Sequence, residues 1–293
     1  MKKILFATDF SSNANKAFGF ALNLAEKHQA ELIMLHVYDI SPVYGQPYIA
    51  GPDEMTKQTG KSWENSLKDF FKQSNSDIQP TYIANENRSV VKGILSVIEK
   101  YQPQLVVIGT KGKNTVKELL LGGTTKALIK RSPVPVMAVP EYAELADYNK
   151  VLYTSDFREV DLKALQDLVE LVRPFLPEIK ILHMSTDNEL KRREKIEWFK
   201  ELINDNVSYP AISCELVSAD DIFNTLNKYM TENDFDMLVM LEKERNGILD
   251  KLFHQGLVSK MEFRTWIPLL SYNEHYLRIA ENQNTKKQDT TED

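Results

Sequence analysis

With 293 residues, 42% of them apolar and 27% charged, the chain has ordinary globular composition and enough length for two domains. Thirty-six basic against forty-two acidic residues leave a net charge of −6, which offers no basic field to DNA or RNA phosphates and excludes nucleic-acid binding as its work. One cysteine allows neither an internal disulfide nor a cysteine-based zinc site. No stretch reaches the roughly 18 uncharged apolar residues of a membrane span, and Asp9 comes before any signal-peptide core could form, so a cytoplasmic protein without membrane contact is expected.

The first predicted element is the apolar strand Ile4 to Thr8. Ala14, Phe18, Ala21 and Ala25 then recur at helical spacing and predict a helix ending near His28. A strand Leu32 to Val37, a Pro/Gly/Tyr-rich loop Ser41 to Pro52, a helix around Trp63 to Phe71 and a short strand Thr81 to Ala84 follow. Val91, Ile94, Ile98 and Tyr101 mark the next helix, which Pro103 stops; Leu105 to Ile108 is a continuous apolar strand of the kind buried on both faces. A helix ending near Arg131 and a strand Val134 to Val139 complete the series.

The series then begins again. Ile4-Leu5-Phe6-Ala7-Thr8-Asp9-Phe10 is echoed by Val151-Leu152-Tyr153-Thr154-Ser155-Asp156-Phe157, and Leu35-His36-Val37 by Leu182-His183-Met184, both at an offset of 147. Leu105 to Ile108 matches Met237 to Met240, and Val134 to Met137 matches Ile267 to Leu270, at offsets of 132 and 133. Helices of the second copy are marked by Leu162, Leu165, Val169 and Val172, by Ile196, Phe199 and Ile203, and by Ile222, Leu226 and Tyr229. Alternation of apolar strands with helices predicts α/β architecture: two tandem doubly wound parallel-sheet domains. The expected units are 1–140, a linker 141–149, 150–272 and a polar tail 273–293, disordered after Asn282. Cys214 lies in an alternating strand-like run and reads as a small buried hydrophobe.

Doubly wound sheets bind ligands beyond the carboxyl ends of their strands. After the fourth strand of the first copy comes Gly109-Thr110-Lys111-Gly112-Lys113-Asn114-Thr115, and further on Gly122-Gly123-Thr124-Thr125 opens a helix. Glycines let backbone N–H groups approach an anion, and a helix start offers free donors and a positive dipole end, so this is a phosphate cradle in outline. It is neither a Walker loop nor a G-x-G-x-x-G fingerprint. The plainer readings are turn glycines, solvated Lys111 and Lys113, helix N-caps at Asp9 and Asp156, and structural histidines at His36 and His183.

The spacing Gly109, two residues, Gly112, nine residues, Gly122, with Ala7-Thr8-Asp9-Phe10 and Leu35-His36-Val37, resembles the universal stress protein family, and the duplication resembles its tandem members over about residues 1 to 272. The resemblance implies a five-stranded parallel sheet of order 3-2-1-4-5 in each copy and an adenine nucleotide as ligand: ATP, with ADP or AMP as alternatives and Mg2+ as companion. It puts Asp9, with Ala7 and Thr8, near the adenosine, and the Val37 backbone at the adenine edge. Gly109, Lys111 and Gly112 fall near ribose and phosphates, and Gly122, Gly123 and Thr124 at the phosphate chain. The family usually has Ser or Thr where Gly123 stands. It also implies pairing of the copies through their last strands as an intrachain pseudo-dimer, and a homodimer of such chains.

The second copy lacks the cradle: Leu241-Glu242-Lys243-Glu244 stands opposite Gly109 to Gly112, with Gly256 the sole glycine near the third position. Near the first-copy cradle only Asp9 and Glu118 offer carboxylates, and no arginine is nearer than Arg131. A stress-response module with a regulatory nucleotide fits this better than phosphoryl transfer. The alternatives are a slow nucleotide hydrolase and a purely structural dimer module with an empty pocket.

Overall fold

The computed structural model describes residues 1–40, 52–110, 121–145, 147–185, 189–242 and 266–277, with 52–56, 189–192 and 223 by backbone alone. The first half runs β1 (Lys3–Ala7), α1 (Ser12–His28), β2 (Glu31–Tyr38), α2 (Pro52–Phe71), β3 (Thr81–Glu86), α3 (Val90–Tyr101), β4 (Leu105–Gly109), α4 (Gly123–Arg131) and β5 (Val136–Val139). The second runs β6 (Lys150–Thr154), α5 (Glu159–Val172), β7 (Glu178–Ser185), α6 (Glu189–Asn206), β8 (Ile212–Ser218), α7 (Ile222–Glu232), β9 (Met237–Glu242) and β10 (Leu269–Asn273).

Two boundaries move from their predicted places because of proline. Helix α2 begins at Pro52 rather than near Trp63, since proline's fixed φ and missing N–H suit a first helical position. Strand β5 begins at Val136 rather than Val134, because Pro135 has no N–H for the ladder, although its carbonyl still accepts from the Val106 N–H at 2.9 Å.

Each half has the order 3-2-1-4-5, but the halves are not separate sheets. Their last strands pair antiparallel, Leu269 opposite Ala138 and Ser271 opposite Val136, so one sheet of ten strands runs through the molecule in the order β3-β2-β1-β4-β5-β10-β9-β6-β7-β8. All other neighbours in it are parallel. The pleat sends alternate residues to opposite faces. Ile4 and Phe6 join α1, α2, α5 and α6 in one apolar layer that is continuous across both halves; Leu5 joins α3, α4 and α7 in the other.

The connection between the halves is packed, with Ala143 and Tyr148 buried. The second half also continues past residue 272: Asn273 belongs to β10, and 274–277 form a helical turn. The rest of the predicted polar tail lies outside the described residues. Among the described residues no helix is long and apolar enough to cross a membrane.

Candidate functional site

At the carboxyl ends of β1, β2 and β4 the first half has a cleft of about 710 Å³, within the usual range for small-molecule sites. Ala7, Thr8 and Asp9 at the end of β1, Val37 on β2, and Gly109 at the end of β4 line it, and Gly122, Gly123 and Thr124 face it from the start of α4. Lys111 and Gly112, assigned to the same site from the sequence, lie outside the described residues.

Thr8 organises the end of β1. Its N–H donates to the Leu35 carbonyl at 2.9 Å and its Oγ1 accepts the Phe10 N–H at 2.9 Å, holding Phe10 in the left-handed region at φ 61°. His36 Nδ1 lies 2.8 Å from the Thr8 carbonyl oxygen; a carbonyl only accepts, so Nδ1 carries the hydrogen. Burial lowers the His36 pKa although this bond favours the charged form. The Phe10 ring packs on the His36 ring at 4.9 Å and on Trp63 at 5.8 Å, an arrangement with no local sequence signal. Asp9 is not the helix N-cap: Ser11 is, accepting the Ala14 N–H at 3.3 Å, while Asp9 Oδ1 accepts the Ser11 N–H at 3.0 Å.

Gly109, which lines the cleft, also has a packing reason to be glycine. A Cβ there would stand 2.8 Å from the backbone carbon and oxygen of Asn13, so the glycine lets α1 cross β4 in close contact. The small residues Ala14, Ala17, Ala21 and Ala25 on the buried face of α1 permit the same approach. Asn13 Nδ2 donates to the Thr110 carbonyl, and the Thr110 N–H donates to the Val139 carbonyl at 3.0 Å, which ties the start of α1 to the ends of β4 and β5. Gly93 on α3 plays a matching part, since a Cβ on it would meet Val37 Cγ1 at 2.6 Å.

Gly122 is the N-cap of α4 with φ −61° and ψ 163°, an ordinary extended conformation, and no side chain caps the helix. The first turn of α4 thus presents its N–H groups at a cleft where the helix dipole favours an anion. A Cβ on Gly123 would meet nothing within 4 Å. The sequence reading missed Ser12, Asn13 and Glu141, which also line the cleft; Ser12 Oγ donates to Glu141 Oε1 at 3.0 Å. Glu141 sits in what reads as linker, and only the tertiary fold brings it back to α1.

The universal stress protein family model matches residues 1–140. A universal stress protein of Methanocaldococcus jannaschii is 30% identical over 145 residues, a match that covers 47% of this chain and 81% of that protein. The chain belongs to the universal stress protein family. The crystal structure of a universal stress protein from Archaeoglobus fulgidus covers 93% of this chain and 98% of its own with a TM-score of 0.67 at 16% identity, which shows a shared two-copy fold. A Pseudomonas aeruginosa structure covers 97% of the chain with a TM-score of 0.62 at 12% identity.

The two universal stress halves share their backbone devices. Ser155 N–H donates to the Leu182 carbonyl at 3.0 Å, Phe157 has φ 52°, and His183 Nδ1 donates to the Ser155 carbonyl at 2.8 Å, as their counterparts do around Thr8. His36 and His183 are thus structural, as the plainer reading expected.

What differs is the filling. Leu241, buried, replaces Gly109, and buried Glu242 replaces Thr110. At the start of α5, Arg158 holds Glu274 with both terminal nitrogens at 3.0 Å. Tyr153 donates to Asp161 Oδ1 at 2.8 Å, and Asp161 Oδ2 accepts the Arg158 N–H at 3.0 Å. Burial pushes the Asp161 pKa up despite these bonds. Lys243, Glu244 and Gly256 lie outside the described residues. Among the described residues no group of three or more His, Cys, Asp or Glu could hold a metal. Cys214, on the outermost strand β8, is half-buried rather than fully buried, and burial pushes its thiol up to about 11.

Proposed function

We propose that this universal stress protein binds one adenine nucleotide, ATP foremost and ADP or AMP otherwise, in the first-half cleft as a regulatory ligand. The observation that carries the reading is the convergence of Asp9, Val37 and the uncapped start of α4 on one cleft of nucleotide size. An acceptor at Asp9 suits ribose hydroxyls, the apolar Val37 and Ile94 wall suits a flat base, and the first-turn N–H groups of α4 suit phosphate oxygens.

The only ionisable side chains among the described lining residues are Asp9 and Glu141, so no described basic group is poised to stabilise a transferring phosphoryl group. The reading is therefore of binding rather than efficient turnover, with Mg2+ held chiefly by the phosphates. The antiparallel β5–β10 seam supports the intrachain pseudo-dimer, and a homodimer of whole chains belongs to the same proposal.

The test is release and identification of the small molecule from denatured, purified protein, followed by calorimetric titration. A stoichiometry near one per chain is expected. A value near two, or no binding of any adenine nucleotide, overturns the reading.

A further inference from the structure

The pseudo-twofold at the β5–β10 seam creates two related crevices away from the nucleotide cleft. One, of about 320 Å³, is lined by Phe20 of α1, Tyr142, Glu144 and Tyr148 of the connection, Asp236 before β9, and Trp266 before β10. The other, of about 400 Å³, includes Asp167, Gln104 and Pro133. By the repeat offsets, these are the counterparts of Phe20, Asp236 and Trp266.

Gln104 and Asp236 do the same backbone work. Gln104 Oε1 accepts the N–H groups of Lys2 and Lys3 at 2.8 Å each, and Asp236 Oδ2 accepts those of Asn149 and Lys150 at 2.7 and 2.8 Å. A neutral amide suffices for the clamp in the first half, so the negative charge of Asp236 serves no need of that clamp. In the Asp167 crevice the carboxylate has its own cation, Lys163, at 2.8 Å. Among the described residues, none that lines the Asp236 crevice is basic, and neither Asp236 nor Glu144 has an ion-pair partner. The walls are aromatic instead. Trp266 and Tyr142, 51% and 53% exposed, both present aromatic surface in the one crevice.

Aromatic faces beside unneutralised carboxylates are the chemistry that recognises an organic ammonium group, through cation–π attraction and charge pairing. We propose that the Asp236 crevice is a binding site for a small organic amine cation, held by Asp236 and Glu144 and covered by Trp266 and Tyr142. Because the connection and both halves contribute, occupancy would brace the two halves against each other.

The experiment titrates the full chain with butylammonium chloride, against sodium chloride at matched ionic strength, and reads tryptophan emission and melting temperature. A saturable emission change with a raised melting temperature is expected with the amine alone. Asp236→Asn and Glu144→Gln, which keep size and hydrogen-bonding oxygens, should each weaken it on the order of tenfold, and Trp266→Leu should remove the emission change. No saturation in wild type, or unchanged affinity in both carboxamide variants, overturns the proposal. Tighter binding of a lysyl peptide than of the free amine overturns its assignment to a small molecule.

Discussion

Arg158 grips Glu274 through two parallel contacts of 3.0 Å, at the place where the first half has only Ser11 and Glu141. The pair closes the start of α5 against the end of β10, where the first half keeps its cleft open. Glu274 is 8% exposed, so removing Arg158 takes a two-point ion pair away from a nearly buried carboxylate. Arg158→Met should lower stability by about 2 kcal/mol, read by urea denaturation. Arg158→Met with Glu274→Leu should cost less than the single change, because the Glu274 charge is removed together with its cation, although Asp161 still loses Arg158.

Gly109 and Gly123 should respond oppositely to an added side chain. Gly109→Ala places a Cβ 2.8 Å from α1 backbone and should destabilise the fold by about 1–3 kcal/mol, with α1 displaced and the cleft deformed. Gly123→Ser enters open space at the start of α4 and should leave the melting temperature within a degree or two. If the phosphates lie at α4, its hydroxyl should tighten ATP about tenfold more than AMP. Equal changes for ATP and AMP would show that position 123 does not face the terminal phosphates.

His36 predicts an acid limit to stability. Burial holds its folded pKa below the ordinary histidine value of about 6.5, so the unfolded chain binds the proton more readily. The contribution of neutral His36 is therefore complete above pH 6.5 and is lost as pH falls through that value towards the folded pKa. His28, whose Nε2 donates to the Leu171 carbonyl across the seam at 2.8 Å and whose pKa burial also lowers, acts in the same direction. The melting temperature should drop between pH 7.5 and 5.5, values chosen to bracket the ordinary histidine pKa of about 6.5. His36→Asn, whose amide can replace Nδ1 as donor to Thr8, should flatten part of that slope.

The seam should depend on Leu269, which is fully buried and opposite Ala138. Leu269→Asp puts an unpaired charge in the core and should cost upwards of about 3 kcal/mol. Limited proteolysis in the 141–149 connection should accelerate with it. Val90→Asp, at an exposed helix residue of the first half away from the seam, is the control and should leave cleavage unchanged.

The fold was legible in the sequence because its signals are local and doubled. Apolar strand runs such as Leu105 to Ile108, the alanine stripe of α1 and the offset of 147 between Phe10 and Phe157 need no knowledge of distant contacts. The glycine spacing likewise points to the carboxyl ends of the strands that border the cleft. Only the tertiary structure decided why each residue is there. Gly109 is required by the backbone of Asn13, almost a hundred positions away in the chain, and Asp9 yields the helix cap to Ser11 because a left-handed Phe10 turns the chain between them. Glu141 reaches the cleft because the chain leaving β5 passes the start of α1, where Ser12 donates to it, and Asp236 and Trp266 line one crevice because they precede the neighbouring parallel strands β9 and β10. Those contacts depend on how sheet and helices pack, and no local periodicity encodes them.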